Sequence, residues 1–117
     1  MRHALFALLI TTVLGACAIN PAERTYTGIY AEGLETMTFQ PDGREETWAV
    51  AGGDGVYSLQ AAAPRAYPTE GGPRASFRIR ATIRGEVSRP GRYGHLGLFR
   101  RQITITEVLE AVPADAN

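Results

Sequence analysis

The stretch "RASFRIRATIRGEVS" (residues 74 to 88) constrains the fold more than any other. Phe77, Ile79, Ala81, Ile83, Gly85 and Val87 fall on one side of an extended chain. Arg74, Arg78, Arg80, Thr82, Arg84, Glu86 and Ser88 fall on the other. Side chains alternate with period two along a strand, so this pattern predicts a long antiparallel strand with one face buried and one in water. Gly85 inside it predicts a bulge or a bend.

Other segments share the period. "TYTGIYA" (25 to 31) puts Tyr26, Gly28 and Tyr30 on one face, and "LETMTFQ" alternates Met37 and Phe39 with threonines. "QPDG" (40 to 43) turns, because Pro41 presets one torsion and Gly43 permits the exit. "ETWAVA" points Trp48 and Val50 one way, "GGDG" (52 to 55) turns again, and "VYSLQA" reads as a strand with Tyr57 and Leu59 inward. "RQITITEVLEAV" gives a last long strand with Ile103 and Ile105 inward, and Glu107, Val108 and Leu109 break its alternation as a bulge would. No segment carries apolar residues at helical spacing over three turns, and Pro64 interrupts the helix-friendly "QAAAPRA". The irregular stretch from Ala62 to Pro73 reads as a crossover or a functional loop. About five to six short strands would leave open edges as a flat sheet. The expected fold is therefore all-β: a small antiparallel barrel over residues 25 to 112, with a fraying tail at 113 to 117.

The first residues have another character. A short basic start precedes "ALFALLITTVLGA" (Ala4 to Ala16), 13 nearly continuous apolar residues. That is short for a bilayer span and right for a signal peptide. "LGAC" (Leu14 to Cys17) resembles the lipobox of bacterial lipoproteins. The resemblance implies that residues 1 to 16 are a leader cut before Cys17, and that the Cys17 thiol carries lipid. Cys17 is the single cysteine, so an internal disulfide is excluded. In such lipoproteins an alanine after the cysteine, here Ala18, implies sorting to the outer membrane. Residues 17 to 24 would then be anchor and tether. Fully extended, Ala18 to Arg24 reaches about 25 Å, which holds the domain near the membrane surface. The membrane, through lipidated Cys17, is the first expected partner.

Two longer stretches extend the resemblance. "GIYAEGLETMTFQPDGREETW" and "RIRATIRGEVSRPGRYGHLGLFRRQITITEVLE" look like small Gram-negative lipoproteins with an OB-like β-barrel domain. The resemblance implies a β-barrel and a location in the cell envelope, and it gives no activity. The Cys-x-x-Cys motif of copper-stress lipoproteins with such a domain is absent.

The formal charge is zero but unevenly spread. Residues 23 to 54 hold seven acids against two arginines, and residues 74 to 101 hold eight arginines against Glu86. Arg78, Arg80 and Arg84 share one face, where residues two apart are separated by about 6.6 Å. Two answers to their repulsion are open: glutamates on neighbouring strands, such as Glu107, Glu46 or Glu35, or an external anion. The second makes Arg78, Arg80, Arg84, Arg92 and Arg100 an anion or partner site, with Tyr93 and His95 as stacking or orienting groups. The candidate ligand is an anionic envelope component or an envelope protein.

"RPGRYGHLGLFRR" (89 to 101) lies between the last two strands. Its glycines do not open a helix, and no Lys-Ser or Lys-Thr follows, so it does not read as a phosphate cradle. It reads as a turn in which Tyr93, His95 and Leu98 cover the barrel end. His95 has neither a second histidine nor a cysteine to form a metal site, and no marked nucleophile. The sequence therefore reads as non-catalytic, with no metal, cofactor or nucleic-acid partner. Further readings are a structural subunit of an envelope complex, or an inhibitor-type lipoprotein whose Glu32, Glu35, Glu45 and Glu46 meet a basic enzyme cleft.

Overall fold

A computed structural model describes residues 22–63 and 77–114. The expected leader, Cys17, most of the tether, the stretch from Pro64 to Pro73 and the last three residues lie outside the described residues.

The molecule is mostly β. Five strands follow the chain as β1 (Glu23–Gly33), β2 (Thr36–Pro41), β3 (Trp48–Gly52), β4 (Phe77–Val87) and β5 (Gln102–Pro113). A helix, α1 (Gly55–Ala61), lies between β3 and β4. Pairing runs in the order β1-β2-β3-β5-β4, and β4 returns to pair with β1, so the sheet closes on itself. β3 and β5 run parallel, Ala49 opposite Gln102 and Val50 opposite Ile103. The sheet is thus not wholly antiparallel, in contrast to the expectation from alternation. β3 and β5 meet as non-neighbours in sequence, so local alternation carries no sign of their relative direction.

The arginine-rich stretch forms β4. Ile79, Ala81, Ile83 and Gly85 are buried, while Arg78, Arg80 and Glu86 are exposed. Tyr30, Phe39, Trp48, Leu59, Ile79, Ile83, Ile103 and Ile105 are each at most 1 % exposed and form one core. Burial of each such side chain contributes on the order of 1.5–3 kcal/mol. Trp48 stands at its centre, edge-on to Tyr26 with centroids 5.0 Å apart and stacked with Phe39 at 6.3 Å. β5 shifts register against β4 twice, between Thr82 and Ile83 and between Arg84 and Gly85. Leu109 and Thr106 are the residues passed over, so bulges fall by both the interrupted alternation and Gly85.

Two further expectations need correction. "VYSLQA" is helical: Val56 and Leu59, three apart, are buried, while Tyr57 is 76 % exposed. The cause lies just before it, where Gly53 has φ +108°. A Cβ on Gly53 would collide with the Ile105 carbonyl oxygen, so only glycine lets the chain press against β5 and turn into α1. The helix packs on β5 and, less extensively, on β4, and covers that part of the core. β1 starts at Glu23, and β5 continues to Pro113, with the Ala114 N–H donating to the Arg78 carbonyl at 2.9 Å. Finally, Leu98 does not cover the core: it is 74 % exposed.

Candidate functional site

β2 and β3 pair only through Thr38–Ala49 and Phe39–Trp48, and beyond these pairs they separate. The separation opens a groove of about 350 Å³. One side carries Glu32, Gly33, Glu35, Thr36 and Met37, from β1, the β1–β2 turn and β2. The other carries Ala49 and Val50 of β3 with Gly94, His95 and Phe99 of the 88–101 segment. A second hollow, lined by Gly52, Asp54, Val56, Tyr57 and Gln60, adjoins it at Met37.

The 88–101 segment is a folded arm rather than a plain turn. Tyr93 and Phe99 exchange two backbone hydrogen bonds of 2.9 and 3.1 Å, and the tip between them is a short 3₁₀ turn, His95–Gly97. The Ala49 N–H donates to the Arg101 carbonyl at 3.1 Å, and the Ser88 Oγ accepts from the Gln102 N–H at 2.9 Å, which fixes the arm's base. Gly94 sits at φ +70°, and a Cβ there would meet Ala49 Cβ at 2.7 Å and the Phe99 ring at 2.8 Å. Glycine is what lets the arm lie directly on β3. The arm leads into strand β5, so its glycines do not present a helix terminus to a phosphate.

The groove is acidic. The Glu32 carboxylate accepts a 2.7 Å hydrogen bond from the Tyr30 hydroxyl and a 3.2 Å bond from Gln60 Nε2. Burial, then the Glu32 carboxylate beside it, raises the Tyr30 phenol well above the ordinary tyrosine range, so Tyr30 remains a donor. Glu35 reaches across the mouth, its Oε2 4.0 Å from His95 Nδ1. No arginine lines the groove among the described residues.

The arginines instead divide into two sets. Arg80 meets Asp42 at 2.6 Å, which raises its pKa further through the hydrogen bond and the charge. Arg84 faces Glu107 at 3.9 Å, and Arg101 Nε lies 3.1 Å from Glu46. Of the glutamates considered as partners, Glu107 and Glu46 face arginines and Glu35 faces His95. Glu46 also accepts the Trp48 indole N–H at 3.0 Å. Arg78, Arg92 and Arg100 are exposed and have no carboxylate at ion-pair distance among the described residues. Tyr93 is half-buried, its hydroxyl donating to the Arg89 carbonyl at 2.9 Å. Of the expected site residues, the groove therefore takes His95. Arg80 and Arg84 lie elsewhere, on the outer face of β4.

The chain matches no family model, no curated protein and no solved structure. Its function is therefore argued from its own geometry. That geometry adds Glu32, Glu35, Met37 and Phe99 to the candidate residues. From sequence, Glu32 reads as part of an acidic contact face and Glu35 as that or an arginine partner, whereas His95, which Glu35 faces, lies sixty residues on. One local signal bears on the arm: "HLGLF" sets apolar residues within a glycine- and arginine-rich stretch. Among the described residues, no three His, Cys, Asp or Glu side chains gather as a metal site would require.

Proposed function

We propose that this protein is a non-catalytic binding module of the bacterial cell envelope, with an OB-like barrel held to the periplasmic face of the outer membrane by lipid on Cys17. The OB-like reading is supported by the closed order β1-β2-β3-β5-β4, the parallel β3–β5 pair, and the helix between β3 and β4. OB folds bind their ligands across strands 2 and 3 and the loops joining strands 1–2 and 4–5. The observation that carries the function is the open groove of this chain between those same elements. The "LGAC" motif and the apolar run before it support the anchor.

The test uses the full chain made in a Gram-negative host fed an alkyne fatty acid. The protein should take up label and fractionate with the outer membrane, and Cys17→Ser should abolish both. An unlabelled chain recovered in the soluble fraction would overturn the anchor.

A second reading concerns Arg78, Arg92 and Arg100, three of the exposed arginines without a carboxylate at ion-pair distance among the described residues. They suit an anionic envelope component, such as lipopolysaccharide phosphate. Co-sedimentation with lipopolysaccharide aggregates should then weaken with salt, and weaken further in the triple Arg→Glu variant. Salt-insensitive sedimentation, or sedimentation unaffected by the substitutions, would exclude it.

A further inference from the structure

We infer that the groove between β2 and β3 is a docking site for a polypeptide that inserts an arginine or lysine side chain, with apolar neighbours resting on the rim. The inference rests on the reading of the groove as the binding site and adds the chemistry of its occupant.

Charge complementarity identifies the inserted group. Glu32 and Glu35 both line the groove, with His95 between the arm and the turn as its sole basic side chain among the described residues. Glu32 is held by neutral donors, Tyr30 and Gln60, and no cation lies within ion-pair distance of it among the described residues. Its position is thereby fixed while no described cation answers its charge. A guanidinium or ammonium group entering the groove meets that charge, and an anion entering it is repelled. Met37, Val50 and Phe99 offer apolar walls to the aliphatic stem that carries such a group.

The rim identifies a polypeptide rather than a small amine. Leu34 is 72 % exposed and Leu96 is 76 % exposed. Each is next in sequence to a member of the Glu35–His95 pair that spans the groove mouth, and Leu98 is exposed on the same arm. Leu96 is also held at φ 57°, in the left-handed region that leucine rarely adopts. Its side chain gains no burial within the described fold in return. Strain kept at an exposed apolar side chain points to a contact made with something else. A single amine would leave these leucines in water, whereas a chain laid across the mouth covers them while its basic residue enters.

The test is selection of a random peptide display library on the full chain purified in detergent. Wild-type protein should enrich peptides with arginine or lysine beside an apolar residue by tenfold or more over the input. Glu35→Arg alters an exposed side chain, and it should abolish that enrichment while the circular dichroism spectrum is unchanged. Leu96→Ser is a second variant, and it should lower enrichment several-fold without changing the preference for basic residues. Enrichment of acidic or uncharged peptides that depends on the groove residues would overturn the inference while leaving a binding groove in place. No enrichment, or basic enrichment indifferent to Glu35→Arg, would overturn it as well.

Discussion

His95 Nδ1 and Glu35 Oε2 lie 4.0 Å apart, one on the arm between β4 and β5, the other on the turn between β1 and β2. The contact spans the mouth of the groove. Both side chains are exposed, Glu35 by 70 %, and exposed ion pairs contribute little to stability. Glu35→Gln should therefore leave the urea midpoint within experimental error of wild type, while reducing the groove's negative charge by one. A large fall in midpoint would mean that the turn and arm are structural supports rather than a site.

Glu46 is different, because a buried group depends on it. Its Oε1 accepts the indole N–H of Trp48, a side chain 1 % exposed, and faces Arg101. Glu46→Ala removes the acceptor, and an unpaired buried donor costs about 1–3 kcal/mol. Glu46→Gln keeps an acceptor and loses only the charge, so it should recover most of that loss. Urea denaturation followed by Trp48 fluorescence measures both.

Gly94 sets the position of the arm. Gly94→Ala places a methyl group against Ala49 and Phe99 at a positive φ. Amide exchange should quicken at Tyr93 and Phe99, whose mutual hydrogen bonds close the arm, while β4 and β5 keep their protection. Uniform loss of protection would show that the arm and barrel are one cooperative unit.

The Tyr30 phenol links stability to alkaline pH. Its folded pKa is raised above the ordinary tyrosine value of 10.0 by burial and by Glu32. The unfolded chain releases this proton first, so the stabilisation is full below about pH 10 and declines as pH rises beyond it. In a spectrophotometric titration one tyrosine should ionise only as the protein unfolds. Tyr30→Phe should remove that late step, and its persistence would place the shifted phenol elsewhere.

Much of the barrel is legible in the chain because a closed sheet with one core imposes period two on each strand. Ile79, Ile83, Ile103, Ile105, Tyr30, Phe39 and Trp48 all face inward as their alternation requires. Helix α1 is not legible, since seven residues span barely two turns. Val56–Leu59 at helical spacing and Tyr57–Leu59 at strand spacing compete within the same short run, and the contact of Gly53 with β5 decides between them. The arginines of β4 are visible as a stripe, and Glu107 faces Arg84 across the neighbouring β5 as a cross-strand partner would, but Asp42 reaches Arg80 only through the β1–β4 pairing that sequence does not display. The groove is still less legible. It exists because β2 and β3 part after two pairs, a feature of tertiary geometry without a local pattern.

Ile83 offers a check on the core itself. It is fully buried, and Ile83→Ala should destabilise the domain by about 2–5 kcal/mol through lost burial and a cavity. A loss under about 1 kcal/mol would contradict the closed arrangement in which β4 faces β1 and β5.

The most direct measurement of the groove is a ¹H–¹⁵N titration of the full chain in detergent with acetyl-leucyl-arginine amide. Saturable shifts should gather at Thr36, Ala49, Val50 and Phe99, and vanish in Glu35→Arg. Shifts confined to the outer face of β4, near Asp42 and Glu107, or no saturable shift at all, would contradict a cation-accepting site between β2 and β3.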